Sequence, residues 1–170
     1  MLKCSRESAP SVHLRPANSA DIPAMMLIEQ ESPSAADWSQ AQHEAMFATD
    51  DPLFQRSAWV VESSAQEKVP TEATVLLAFL VAHRIDGEWE LENIVVAEKA
   101  RRRGVGTRLL TEFIEHVSVE NSSAIFLEVR ESNHIARSLY RKAGFEETGV
   151  RKNYYSNPRE SAILYRRRIS

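Results

Sequence analysis

The chain reads as a mixed α/β (α+β) domain in which antiparallel strands come first and one β-α-β crossover then adds a parallel pair. Three observations carry that reading. Asp86-Gly87 stands between a nearly all-apolar run, Thr74 to His83, and a second strand, Glu88 to Val96, where a tight hairpin turn belongs. Gly104 to Val119 then places Val105, Leu109, Leu110, Phe113, Ile114 and Val117 on one face at the 3.6-residue period of a packed helix. A further apolar run, Ala124 to Val129, follows that helix, so strand, helix and strand occur in the order a parallel crossover needs.

The remaining elements follow in order. Val12 to Arg15 is a short first strand. Asp21 is placed to cap a helix that carries Pro23 in its first turn and Met25, Met26 and Ile28-Glu29 further along. Trp38 to Phe47 is a second helix with Ser39 near its start, and Ser57 to Glu62 is a second strand. Ser63 to Thr71, polar and containing Pro70, is a hairpin connector. Thr74 to His83 is nearly all apolar and so belongs in the middle of the sheet. Asn133 to Lys142 is a helix with Gly144 where a C-cap glycine stands, and Phe145 to Tyr154 and Ser161 to Arg168 close the chain as two strands.

The 170 residues are expected to form one domain, residues 11–170, behind a polar leader, residues 1–10, expected to be disordered. Hydrophobic content of 43% and charged content of 26% suit a globular core, and a net charge of −3 argues against general nucleic-acid or anionic-membrane binding. The single cysteine, Cys4, excludes an internal disulfide or a multi-cysteine metal site, and the histidines at 13, 43, 83, 116 and 134 lack metal-ligand spacing, so no metal is expected. No apolar run approaches the ~20 residues of a membrane span, and the leader has no apolar core of a secretory signal, so the expected compartment is the cytoplasm. Arg166-Arg167-Arg168 reads as a solvated chain end.

Chemistry concentrates at Arg101-Arg102-Arg103-Gly104-Val105-Gly106-Thr107. A strand, a glycine-containing turn and a helix N-terminus in that order direct backbone N–H groups and the positive end of the helix dipole at one point, which suits an anion. Glycines at 104 and 106 leave the backbone approachable, and Arg101, Arg102, Arg103 and Arg108 add charge, so the expected ligand is a polyphosphate. A Walker loop is absent, and position 109 is Leu where a dinucleotide loop has its third glycine.

The remaining pattern, Arg-x-x-Gly-x-Gly after an Ile-Val-Val strand, resembles the coenzyme A loop of the GCN5-related N-acetyltransferases, the GNAT superfamily. Downstream, Leu127 to Asn133 (LEVRESN), Ala136, Leu139-Tyr140, Gly144-Phe145 and Arg151-Lys152-Asn153-Tyr154-Tyr155 fall in sequence, followed by Pro158, Glu160 and Ala162. That ordered set resembles the ribosomal-protein-alanine N-acetyltransferase (RimI) branch from about Asn93 to Ile163, with a weaker match around Leu14-Arg15-Pro16, Ile28-Glu29 and Trp38.

The resemblance implies a mostly antiparallel sheet of six to seven strands, splayed between the fourth and fifth and flanked by about four helices. It implies acetyl-CoA between the splayed strands, with Ile94, Val95 and Val96 along the pantetheine arm and Arg101, Arg102, Arg103, Gly104, Val105, Gly106 and Thr107 around the pyrophosphate. Asn133 and Ala136 would also touch the arm, although Asn133 has a second reading as a helix cap. Tyr140 is the candidate acid: transfer to an amine expels a thiolate, and a phenol in reach can protonate it. Glu128 is the candidate base, since a protonated amine must lose a proton before it attacks. A carboxylate inside Ile125 to Val129 otherwise needs a partner such as Arg130, or an edge open to solvent. Glu90 and Glu92, on one face of the preceding strand, compete for the base role or attract a cationic acceptor, and Tyr154 and Tyr155 border the acceptor groove or serve as ordinary strand residues. The expected acceptor is a protein or peptide N-terminus, which the resemblance extends to that of a ribosomal protein; a small amine, free amino acid or internal lysine is the alternative. A non-catalytic acyl-CoA sensor is the remaining reading.

Overall fold

The computed structural model describes residues 12–32, 36, 38–48, 55–63, 75–120 and 122–169. The leader with Cys4, and all of the expected connector except Ser63, lie outside the described residues. Seven strands join one sheet: β1 (Val12–Pro16), β2 (Gln55–Ser63), β3 (Leu76–Ile85), β4 (Glu88–Val96), β5 (Ala124–Arg130), β6 (Glu146–Ser156) and β7 (Arg159–Arg168). Among the described residues four α-helices accompany them: α1 (Ile22–Gln30), α2 (Gln40–Ala45), α3 (Val105–Val119) and α4 (His134–Lys142). The spatial order is β1-β2-β3-β4-β5-β7-β6, antiparallel throughout except for the β4–β5 pair that α3 connects. None of the described helices is long and apolar enough to cross a membrane.

The two faces of the sheet hold separate cores. On one, α3 sets Leu109, Leu110, Phe113 and Val117 against Trp59, Trp89, Leu91 and Leu127. On the other, Met25 and Ile28 of α1 pack on Val60, Phe79, Val81 and Val95. Asp86 and Gly87, at φ 51° and 83°, make the expected β3–β4 hairpin.

Several local expectations shift. Asp21 does not cap α1: its carboxylate reaches back to the Asn18 amide at 2.8 Å and accepts two 2.8 Å hydrogen bonds from Arg15, closing a 3₁₀ turn, Ser19–Asp21, instead. The second helix is six residues long rather than running from Trp38, because the Ser39–Gln42 capping box fixes its start. The third strand begins at Leu76 and runs on to Ile85, and Thr74 lies outside the described residues. Helix α3 begins one residue after Gly104, which adopts the left-handed conformation (φ 77°) as its N-cap. Gly144, at φ 81°, ends α4 as expected. Arg166, Arg167 and Arg168 are not a loose chain end but strand residues; Arg167 donates to the Ala143 carbonyl and Arg166 lies 3.8 Å from Glu88.

Strand β4 is irregular in one place. Its pairing with β3 passes from Ala82↔Leu91 to Val81↔Asn93, so Glu92 is an extra, bulged residue. Trp89 and Leu91 face α3, as do Ile94 and Val96 beyond the bulge, whereas Val95 faces α1. Pairing with β5 is short, Trp89↔Ile125 to Leu91↔Leu127, and stops where the bulge begins. The two strands therefore part, which is the expected splay.

Candidate functional site

A cleft of about 1210 Å³ opens where β4 and β5 separate. That exceeds the roughly 300–1,000 Å³ of an ordinary small-molecule pocket, leaving room for two ligands end to end. Its lining joins β4 from Leu91 to Val96, the turn at Arg101 to Thr107 other than Arg103, Asn133, Ala136, Leu139 and Tyr140 of α4, and Glu128 to Arg130 of β5. The positions on α4 repeat at three and four residues, so one helix face looks into the cleft.

The turn is built for an anion. No side chain caps α3, so the N–H groups of its first turn keep the helix's positive end available. Gly104 is required by conformation, and a Cβ there would meet nothing within 4 Å, so a ligand can approach the backbone. Gly106 is closely packed: a Cβ there would stand 3.2 Å from Val96 Cγ2, so that side chain would have to give way. These features fit a polyphosphate with an extended, amide-bearing arm. The turn has the geometry to take the phosphates, and beyond Leu91 the β4 edge is not paired with β5 and can take the arm.

The arginines divide. Arg101 turns inward, donating to the Val96 carbonyl at 3.0 Å and to Ser32 Oγ at 2.7 Å, so its side chain ties the turn to the end of α1. Arg108 donates to the Val12 carbonyl at 3.2 Å. Arg102 is exposed on the cleft wall with φ 59°, and Arg103 is exposed outside it. Asn133 caps α4, accepting from the Ala136 amide at 3.1 Å, while it also lines the cleft.

Tyr140 is buried against the rings of Phe145 and Tyr165, at 5.8 and 6.1 Å, and still lines the cleft. Burial, reinforced by Tyr155, pushes its phenol far above the usual value, so the hydroxyl keeps its proton at neutral pH. Glu128 also lines the cleft, but its ion-pair partner is Arg151 at 2.8 Å, not Arg130. The Tyr154 hydroxyl hydrogen-bonds Glu128, which raises that phenol too. Arg130 instead reaches Glu160 at 2.7 Å and lies over the Tyr155 ring at 4.1 Å. Tyr155 lines the cleft and Tyr154 does not.

Glu90 and Glu92 separate. Glu92 lines the cleft and accepts two 2.8 Å hydrogen bonds from Arg56. Burial would raise its carboxyl, but hydrogen bonds from His83 and Arg56 outweigh that and hold it below the usual range, which weakens it as a proton acceptor. Glu90 is half exposed, 3.5 Å from His83, and outside the cleft lining. Trp38 packs edge-on to His43 at 5.6 Å and lies under Arg56.

The sequence reading missed a buried polar group. Glu29 lines the cleft and accepts from Asn93 Nδ2 at 2.6 Å and from His43 Nε2 at 2.8 Å, and all three residues are buried. An Asn inside an apolar strand and a Glu on the apolar face of a helix were the available signals, but the partners are 64 and 14 residues apart. Among the described residues no group of three or more His, Cys, Asp or Glu could hold a metal ion.

A model of the acetyltransferase (GNAT) family matches residues 23–145. The curated [ribosomal protein bS18]-alanine N-acetyltransferase of Haemophilus ducreyi is 36% identical over 97 residues, 55% of this chain and 67% of that protein. Its Escherichia coli K12 counterpart is 35% identical over 96 residues, so the matched segments span about two thirds of these relatives. The crystal structure of the ribosomal-protein-S18-alanine N-acetyltransferase from Escherichia coli superposes at TM-score 0.75 with 27% identity, covering 94% of this chain and 95% of that one. Arabidopsis thaliana NAA60, solved with acetyl-CoA, shares the fold at TM-score 0.77 and 16% identity, covering 94% and 99%.

Proposed function

This chain belongs to the acetyltransferase (GNAT) family, and from that premise we propose that it transfers the acetyl group of acetyl-CoA to the α-amine of a protein or peptide N-terminus by direct attack in a ternary complex. The observation that carries the proposal is the single cleft joining a phosphate turn, an unpaired strand edge, a protonated phenol and a carboxylate. The named relatives acetylate a ribosomal-protein alanine, which makes a ribosomal N-terminus the first acceptor to test.

Acetyl-CoA would supply the acetyl group as a thioester. The turn from Arg102 to Thr107 binds its phosphates through backbone N–H groups, the Arg101 N–H being engaged by the Glu98 carbonyl, and Ile94 to Val96 orient the arm and polarise the carbonyl being attacked. Asn133 and Ala136 border the arm from α4. Glu128 takes the proton that the acceptor ammonium must lose, directly or through a water, once Arg151 yields the carboxylate. Tyr140 Oη gives its proton to the departing sulfur, and the second proton that the attacking nitrogen sheds on becoming an amide restores the phenol. Tyr155 walls the acceptor end, with Tyr154 hydrogen-bonded behind it to Glu128.

The test is CoA release from acetyl-CoA with peptides bearing free Ala, Ser, Met or Gly termini, an N-terminally blocked lysine peptide and free amines. Acetyl groups placed by mass spectrometry on α-amines of the peptides are the expected result. Turnover confined to small amines or to lysine would remove the N-terminal assignment. Tight CoA binding without turnover on any acceptor would favour a sensor instead.

A further inference from the structure

Glu29, His43 and Asn93 form a buried polar chain that the proposed chemistry does not use. It crosses from α2 through α1 to β4 and ends beside the bulge at Glu92. We infer that Glu29 and His43 are positioning residues for the acetyl donor: acting through Asn93, they hold β4 in the bulged course that parts it from β5. The inference rests on the donor-binding half of the proposed function.

The argument runs along the chain of contacts. Asn93 is 6% exposed beside Phe79, Val81 and Val95, where an unpaired amide carries a desolvation penalty. Regular alternation would turn residue 93 toward α3, with Trp89 and Leu91. The bulge turns it toward α1 instead, and the 2.6 Å bond to Glu29 gives its amide a partner there. Glu29 is itself 6% exposed, and a buried carboxylate stays in place only when its oxygens are held. His43, 0% exposed, fixes the second oxygen from α2. Its Nδ1 has no hydrogen-bond partner among the described residues, so the Nε2–H bond to Glu29 is the one that orients the ring. Past Asn93 the strand gives the cleft Ile94, Val95 and Val96, the residues expected along the arm. Loss of the chain of bonds lets β4 relax toward regular pairing with β5 and narrows the slot.

The experiment measures CoA affinity directly by calorimetry on the full chain, so turnover and acceptor identity do not enter. Asn93→Ala and Glu29→Ala are each expected to weaken CoA binding on the order of tenfold, and the double variant no further, because both break one chain. Glu29→Gln, which keeps an oxygen for Asn93, is expected to stay within about threefold of the parent. Val60→Ala, a core cavity away from the cleft, is the control for lost stability alone, and is expected to lower Tm without changing CoA affinity. In turnover, the alanine variants should raise KM for acetyl-CoA and leave the acceptor KM and the pH profile unchanged. Independent, multiplying effects of the two alanine changes, or affinities equal to the parent's, would overturn the inference. A parent protein that does not bind CoA would sink the proposed function itself, a separate outcome.

Discussion

The two ends of the cleft are made of different material. The end proposed for the donor is backbone: an uncapped helix N-terminus, a left-handed glycine, a glycine packed on Val96 and a strand edge that leaves its neighbour. The end proposed for the acceptor is side chains held in pairs, Glu128 with Arg151, Arg130 with Glu160 and Tyr155, and Glu92 with Arg56. Backbone recognition depends on conformation and tolerates many side chains. A wall of paired charges depends on each identity, so it is the end where specificity can change while the fold stays.

The strongest challenge to that division is Tyr140, a side chain on the donor helix with a chemical task. Tyr140→Phe is expected to reduce turnover by about 100-fold or more while CoA affinity, measured by calorimetry, stays at the parent value. Unchanged turnover would leave the donor end as a binding surface only. Gly106→Val tests the backbone claim: added carbons would press on Val96, and CoA affinity should fall on the order of tenfold with the acceptor KM unmoved. Arg151→Gln tests the other end and should change the acceptor KM a fewfold and the acetyl-CoA KM not at all, as read from a two-substrate kinetic matrix. An equal effect on both constants would erase the distinction between the ends.

The smallest effect lies outside both. The Arg15 guanidinium holds the Asp21 carboxyl below its usual value, despite partial burial. A depressed carboxyl adds stability that is complete above the unfolded value of about 4 and disappears as pH falls through the folded one. Asp21→Asn should therefore cost about 1 kcal/mol at pH 7, roughly 2–4 °C in Tm, and nothing at strongly acid pH, with kinetics unchanged. Thermal melts across that pH range measure it.

The glycine turn, helix α3 and strand β5 were readable in the sequence because their signals are local. Glycine spacing, the helical period from Val105 to Val117 and the strand after it all fall within a short stretch, and each describes a backbone state. The bulge at Glu92 was not read: the alternation that runs from Glu88 to Glu92 breaks at Asn93, polar where an apolar residue is due, but the extra residue itself appears only in the pairing with β3. The same holds for Arg101, whose position in the turn suggested a phosphate contact although its guanidinium binds Val96 and Ser32. Charge pairing failed for a related reason. Arg130 is the sequence neighbour of Glu128 two residues on, but the partner is Arg151 on another strand, and nothing local distinguishes the two.

Strand β6 carries a further consequence. It is eleven residues long, lies at the rim of the sheet and is mostly exposed, the condition in which a free row of amides and carbonyls recruits a strand from another molecule. Its register with β7 breaks between Arg151 and Tyr155, Asn153 there takes φ 54°, and Arg151 and Lys152 put cations beside the break. The irregularity that comes just before Tyr155, the residue of this strand's tyrosine pair that lines the cleft, thus also denies a second chain a straight template, and a substitution that smoothed β6 would favour aggregation as well as shifting that cleft wall.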